Sequence, residues 1–208
     1  MAEPGIRELL SGNEAVARGA FEAGVKLAAS YPGTPSTEIL ETLAEQYPSI
    51  YAQWSPNEKV AFEVGIGASM GGARTLVTMK HVGLNVAADP YMTFAYTGVG
   101  GGFVIVSCDD PDMHSSQNEQ DNRFFARMAN VPFLAPSDSQ EAKDMLVTAY
   151  EMSEIFDTPV MLHMTTRISH SKGIVELNDQ AGGANKKFTK DPSKYVMIPA
   201  NARKRHVV

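Results

Sequence analysis

Four short segments hold most of the side chains with which this 208-residue chain could do chemistry. The first is Tyr31-Pro32-Gly33-Thr34-Pro35-Ser36. Its prolines fix the backbone, Gly33 allows close approach to a ligand, and Thr34 and Ser36 offer hydroxyls. The same string also fits a plain turn leading into a helix, with Pro35 near its first position. The second segment is Trp54-Ser55-Pro56-Asn57-Glu58. Here Glu58 stands in the first turn of a Gly/Ala-rich helix, where the helix dipole stabilises a carboxylate. The small apolar residues that follow predict that this helix end is buried, and a buried carboxylate needs a partner or a raised pKa. Glu63 is the competing acid, but five helical residues turn through about 500°, placing it roughly 140° away from Glu58.

The third segment, Lys80-His81-Val82-Gly83-Leu84-Asn85, reads as a donor and acceptor loop at a strand end, with a flexible Gly83 between His81 and Asn85. The fourth runs from Asp109 to Asp121. Its acids, Asp109, Asp110 and Asp112, do not have the spacing of a calcium-binding helix–loop–helix, so no metal site is assigned. His114, Ser115, Ser116 and Gln117 fit hydrogen bonding to a polar substrate or a neighbouring subunit. His163 and His170 read as structural. No cysteine-pair cluster, Walker motif or Gly-x-Gly-x-x-Gly is present. Local chemistry therefore reaches only an α/β domain with a polar site.

These segments must be positioned by helices alternating with short apolar runs, the pattern of βα units around a parallel sheet. Ser11 and Glu14 have capping-box spacing, and Val16, Ala20, Phe21, Ala23 and Leu27 follow at helical intervals. Strands are expected at LAASY, IYAQW, TLVTM, GGFVIVS and PVMLHM, with a shorter one in VPFLAP. Helices are expected over 36–46, Asn57–Gly72 with Val60, Ala61, Val64 and Ala68 on one face, Gln120–Met128 and Ser139–Ile155. In an open parallel sheet, ligands sit at the carboxyl ends of the strands, which is where all four segments fall. The fold class is α/β, a three-layer open parallel sheet with helices on both faces.

Composition narrows the class. The chain is 43% hydrophobic and 20% charged, enough for one sizeable soluble domain. No run approaches the roughly 20 apolar residues of a membrane helix, and the N-terminal residues lack a signal-peptide pattern. The single Cys108 cannot form an internal disulfide or supply the four thiolates of an iron–sulfur cluster. A cytoplasmic location is expected, without membrane binding. The net charge of −6 conceals an asymmetry: seven Lys/Arg and one acid lie beyond residue 181, leaving eleven bases against 23 acids in residues 1–181. The basic stretch is read as a linker or docking segment, not a nucleic-acid site.

Taken in order, SGNEAVARGAFEAG, YPGTPSTE, WSPNEKVAFEV, GARTLVTMKHVGLNVAADP and HSSQNEQD resemble the indolepyruvate ferredoxin oxidoreductase α subunit. The resemblance extends to about Lys172 and, more weakly, into the tail. YPGTPS also resembles a string of the wider pyruvate and 2-oxoglutarate oxidoreductase group.

The resemblance implies a thiamine-diphosphate enzyme, with residues 1–175 as the pyrimidine-binding domain and 176–208 as a linker towards a diphosphate-binding and iron–sulfur portion. Glu58 matches the catalytic glutamate that hydrogen-bonds the aminopyrimidine ring. A carboxyl group there favours the imino tautomer that removes the thiazolium proton. Tyr31, Pro32, Gly33, His81, Gly83 and Asn85 are implied beside the cofactor, and Thr34, His114 and Gln120 beside the substrate. The group binding the substrate carboxylate stays open. Magnesium and [4Fe-4S] clusters are expected only through other domains or chains. A second subunit, ferredoxin, coenzyme A and a homo-oligomer are the implied partners. Two alternatives stand beside this reading: the pyrimidine half of a non-oxidative 2-oxoacid decarboxylase, and a non-catalytic remnant dimerising through its small-residue helix.

Overall fold

In a computed structural model, residues 5–181 and 186–206 are described; residues 1–4, 182–185 and 207–208 of the expected domain and tail lie outside them. The chain opens with β1 (Arg7–Ser11) and α1 (Gly12–Glu22). The boundary between them follows the capping box: Glu14 N–H donates to Ser11 Oγ (3.2 Å) and Ser11 N–H donates to Glu14 Oε2 (2.7 Å). The apolar periodicity ends earlier than expected, because Leu27 begins the next strand.

A parallel alternation follows: β2 (Leu27–Ser30), α2 (Thr37–Gln46), β3 (Tyr51–Trp54), α3 (Glu58–Met70) and β4 (Thr75–Lys80). Next come α4 (His81–Val86), α5 (Ala88–Thr97), β5 (Phe103–Asp109), a 3-10 turn (Pro111–Met113) and α6 (Arg123–Ala129). The body ends with β6 (Phe133–Leu134), α7 (Ser139–Phe156), β7 (Val160–Thr165), α8 (Thr166–His170) and β8 (Lys172–Glu176).

Six strands form one parallel sheet in the order β3-β2-β4-β5-β7-β6. β4 and β5 are buried along their whole length, and β5 opens with the unbroken apolar run Phe103–Val106, as strands covered on both faces do. One core lies under α1, α2 and α7, with Val104, Val106 and Cys108 of β5. The other lies under α3, α5 and α6, with Phe103 and Ile105 of the same strand. The three-layer expectation holds. α3 buries Ala61, Phe62, Gly65 and Ser69, not the face expected from Val60, Val64 and Ala68. It sits close on the sheet because a Cβ at Gly65 would fall 2.5 Å from a Val77 methyl carbon.

Three features depart from the sequence reading. β1 and β8 form a separate antiparallel pair, and β8 carries the chain through Glu176 to the buried Leu177. α6 begins at Arg123, not Gln120. The basic tail forms α9 (Pro192–Tyr195) and α10 (Pro199–Arg205). It docks at the amino-terminal edge of the sheet, where Asp157 accepts hydrogen bonds from Lys194 Nζ (2.6 Å), Arg205 Nη2 (2.8 Å) and Val99 N–H (2.9 Å). That edge is opposite the one bearing the four segments.

Candidate active site

The sheet sets the geometry of the site. From β2 the chain passes to β3 on one side, and β4 pairs on the other, so the strand order reverses between β2 and β4. The connections leave toward opposite faces there, α2 over one core and α4 and α5 over the other. This opens a crevice at the carboxyl rim of the kind that binds ligands in doubly wound sheets. Just beneath it, Ser30 Oγ donates to Thr78 O (2.8 Å) and Thr78 Oγ1 donates to Ser30 Oγ (2.9 Å), fixing the two strands.

Glu58 begins α3 behind Asn57, whose side chain caps the helix by accepting from Val60 N–H (2.9 Å). The carboxylate is half-buried rather than buried, and among the described residues no hydrogen bond reaches it. It lies against Gly83: a Cβ there would fall 2.6 Å from both Glu58 Oε1 and Cγ. Glu63 is exposed on another side of the helix.

The third segment is a helix, not a flexible loop. Lys80 is extended, and the chain enters α4 directly with His81, Gly83 and Leu84 buried. Tertiary burial outweighs the low helix propensity of glycine, and the missing side chain at 83 is what admits Glu58. Because residues two apart on a helix point about 200° apart, Asn85 faces away from Gly83, and it is exposed.

Contacts link this helix to the other segments. The Lys80 stem passes the first segment, its Cβ lying 3.1 Å from where a Cβ of Gly33 would stand. Lys80 Nζ donates to Ser115 O (2.8 Å), and His81 Nε2 lies 3.0 Å from Asn118 O. His81 is fully buried, and its Nδ1 has no partner among the described residues.

The fourth segment wraps around two buried acids. Asp110 accepts from Ser115 N–H (2.8 Å), from the Ser116 hydroxyl and from Thr166 Oγ1 (2.8 Å). Burial pushes its carboxyl upward, but these bonds and the charge of Lys80 prevail and hold it well below the ordinary carboxylate range. Asp109 accepts from Asn122 N–H (3.0 Å) and pairs with His163 Nε2 at 2.7 Å. Asn122 in turn donates to His81 O (3.0 Å) and Ser107 Oγ (2.9 Å). Asp109, Asp121 and His163 bring possible metal-ligand atoms within 4.8 Å of one another, with Asp121 also forked to Arg123.

The structure thus brings Gly33, Glu58, His81, Gly83 and the 115–118 stretch together at one rim. Tyr31, Pro32 and Thr34 line its outer edge and are exposed. His114 is exposed, while Gln120 is half-buried with its Oε1 unpartnered. His163 is a buried partner of Asp109; His170 is a surface residue 3.7 Å from Glu38. Sequence reasoning did not single out Lys80, Asn118 or Asn122, and it weighed Asp110 only as a metal ligand. The signal for Lys80 was its position closing the apolar run TLVTM.

The sequence profile described as "Pyruvate flavodoxin/ferredoxin oxidoreductase, thiamine diP-bdg" matches residues 18–206. Over 208 aligned residues the chain is 50% identical to the Archaeoglobus fulgidus indolepyruvate oxidoreductase subunit IorA, covering 96% of this chain and 33% of that protein. The Thermococcus kodakarensis subunit IorA is also 50% identical, over 98% of this chain and 33% of its own length. The Methanocaldococcus jannaschii 2-oxoglutarate synthase subunit KorA is 30% identical over 86% of this chain and 51% of its own. Among solved structures, the Magnetococcus marinus 2-oxoglutarate:ferredoxin oxidoreductase superposes with a TM-score of 0.78 at 17% identity, over 96% of this chain and 43% of that one. The chain spans about a third of the length of the IorA relatives. No helix among the described residues is long and apolar enough to cross a membrane. By its profile match and these identities, the chain belongs to the thiamine-diphosphate-binding family of pyruvate flavodoxin/ferredoxin oxidoreductases.

Proposed function

We propose that this chain forms the aminopyrimidine side of the active site in an oxidoreductase that decarboxylates aryl pyruvates, indolepyruvate among them, to acyl-coenzyme A with ferredoxin as electron acceptor. The carrying observation is the half-buried, unpartnered carboxylate of Glu58 against Gly83 at the carboxyl rim. A carboxylate in that setting is seated by its glycine neighbour and keeps an open hydrogen-bonding site, which fits a ring nitrogen presented to it.

Bound thiamine diphosphate supplies a carbon acid whose conjugate base adds to a 2-oxo group. Glu58 holds a proton between its carboxylate and the ring nitrogen, and the positive end of α3 stabilises its charged form. Gly33 lies beside the ring, with Tyr31 and Pro32 at the outer edge and the buried His81 and Gly83 supporting the site from beneath. Thr34 offers its hydroxyl to the substrate carbonyl, and His114 and Gln120 contact the remainder of the substrate. The exposed Asn85 is available to the portion that closes the pocket. Residues 1–175 act as the pyrimidine domain, and 176–208 lead towards the diphosphate-binding, magnesium- and cluster-bearing portion. A cytoplasmic homo-oligomer with a second subunit completes the assembly. The identity to subunits named for indolepyruvate supports the aryl substrate.

The test is reconstitution with the remaining portion and second subunit, followed by indolepyruvate-dependent reduction of ferredoxin or viologen in the presence of coenzyme A. Reduction that requires both indolepyruvate and coenzyme A is expected. Release of the aldehyde with no reduction of the acceptor would instead identify a non-oxidative decarboxylase.

A further inference from the structure

Lys80 is 8% exposed, yet no carboxylate among the described residues lies within ion-pairing distance of it. A buried ammonium is costly unless it is paired or fully hydrogen-bonded. Of its three N–H donors, the structure gives one a partner, Ser115 O at 2.8 Å. The acid whose charge it feels, Asp110, is already occupied by Ser115, Ser116 and Thr166. Of the cations flanking it, Lys59 pairs with Asp89 at 3.0 Å and Arg123 with Asp121 at 2.7 Å.

Position adds direction. The stem of Lys80 runs along Gly33, and its head reaches the fourth segment at Ser115. The cation therefore lies between the loop after β2 and the loop after β5, the strands on either side of β4. Three residues on, Gly83 receives Glu58, so one turn of chain carries the cation and the contact that seats the acid. A 2-oxoacid has a carboxylate next to its reacting carbonyl, and a group that fixes this carboxylate fixes the carbonyl.

We propose that Lys80 binds the carboxylate of the 2-oxoacid and so orients its carbonyl, an inference that rests on the thiamine-dependent reading above. Two donors without partners among the described residues suit a carboxylate, and the bound anion would complete the coordination that Ser115 begins. Lys80 selects acids over their neutral analogues. It has no part in activating the cofactor.

The experiment uses the assembled, cofactor-loaded enzyme and equilibrium binding of indolepropionate, which lacks the keto group and cannot react, against indolepropionamide. Wild type is expected to bind the acid about 10- to 100-fold more tightly, the range for a charged hydrogen bond. Lys80→Met should abolish that preference and leave amide binding unchanged. Lys80→Arg should keep part of it. In the same Lys80→Met preparation, exchange of the thiazolium proton without substrate should match wild type. Equal wild-type affinity for acid and amide overturns the proposal, as does a variant that loses both ligands equally or loses exchange. If wild type itself shows no accelerated exchange, the thiamine reading fails, and the substrate role with it. Normal exchange without acid preference rejects the lysine alone.

Discussion

Gly83 stands so close to Glu58 that a Cβ at position 83 would lie 2.6 Å from the carboxylate oxygen Oε1. The contact joins the start of α3 to the middle of α4, across the rim where the parallel strands end. It makes the glycine a condition on where the acid can stand.

Gly83→Ala should therefore displace the Glu58 side chain, because the interfering atoms are those of the carboxylate itself. The fold should survive at a cost of about 1–3 kcal/mol, typical of overpacking a tight site. Urea unfolding reads the cost, and thiazolium proton exchange in the assembled enzyme should slow. An unchanged exchange rate would mean that the acid has other places to go.

Asp110 anchors the fourth segment through hydrogen bonds from Ser115, Ser116 and Thr166. Its carboxyl is held below its ordinary value, so it adds stability above the ordinary carboxylate range and loses it only as pH falls through the lowered folded value. The amide of Ser115 should stay protected from hydrogen exchange at pH 4 and lose protection only in stronger acid. Asp110→Asn should raise that exchange at neutral pH by about 10- to 100-fold, as expected for losing charged hydrogen bonds.

Arg74 is forked onto Glu154 through Nε (2.9 Å) and Nη2 (2.8 Å), and its Nη1 donates to Ala23 O (2.7 Å). The side chains are 12% and 14% exposed, so this pair is well shielded from water. Arg74→Met should cost about 3 kcal/mol in urea unfolding, since it strands a largely buried carboxylate. The site at the opposite edge should be unaffected, leaving the affinity for indolepropionate unchanged.

Cys108 is wholly buried in β5, and burial pushes its thiol far up. In the native chain it should resist iodoacetamide at pH 8 and react at a rate set by unfolding. Rapid labelling under native conditions would contradict the buried placement of β5.

The site was partly legible in the residues. Strand-end positions for all four segments followed from the alternation of apolar runs and helices, and the Ser11/Glu14 and Asn57 caps mark true helix starts. What stayed hidden depended on contacts between distant segments. His81–Val86 reads as a loop because Gly83 lowers local helix propensity, yet burial of His81 and Leu84 and the approach of Glu58 fix it as a helix. Lys80 looks like an ordinary strand terminus until Gly33 and Ser115 are seen on either side of it. β1 and β8 escaped notice because neither has a parallel neighbour, and their pairing joins residues 7 and 176 across nearly the whole body.

The role of Glu58 is tested most directly by the exchange rate of the thiazolium proton in the assembled enzyme, without substrate, for wild type and Glu58→Gln. The amide keeps the size of the side chain and removes the charge that holds a proton on the ring. Exchange at least 100-fold slower in the variant, with cofactor still bound, is the predicted result, the order general acid–base catalysis supplies. Equal rates in the two proteins would contradict it.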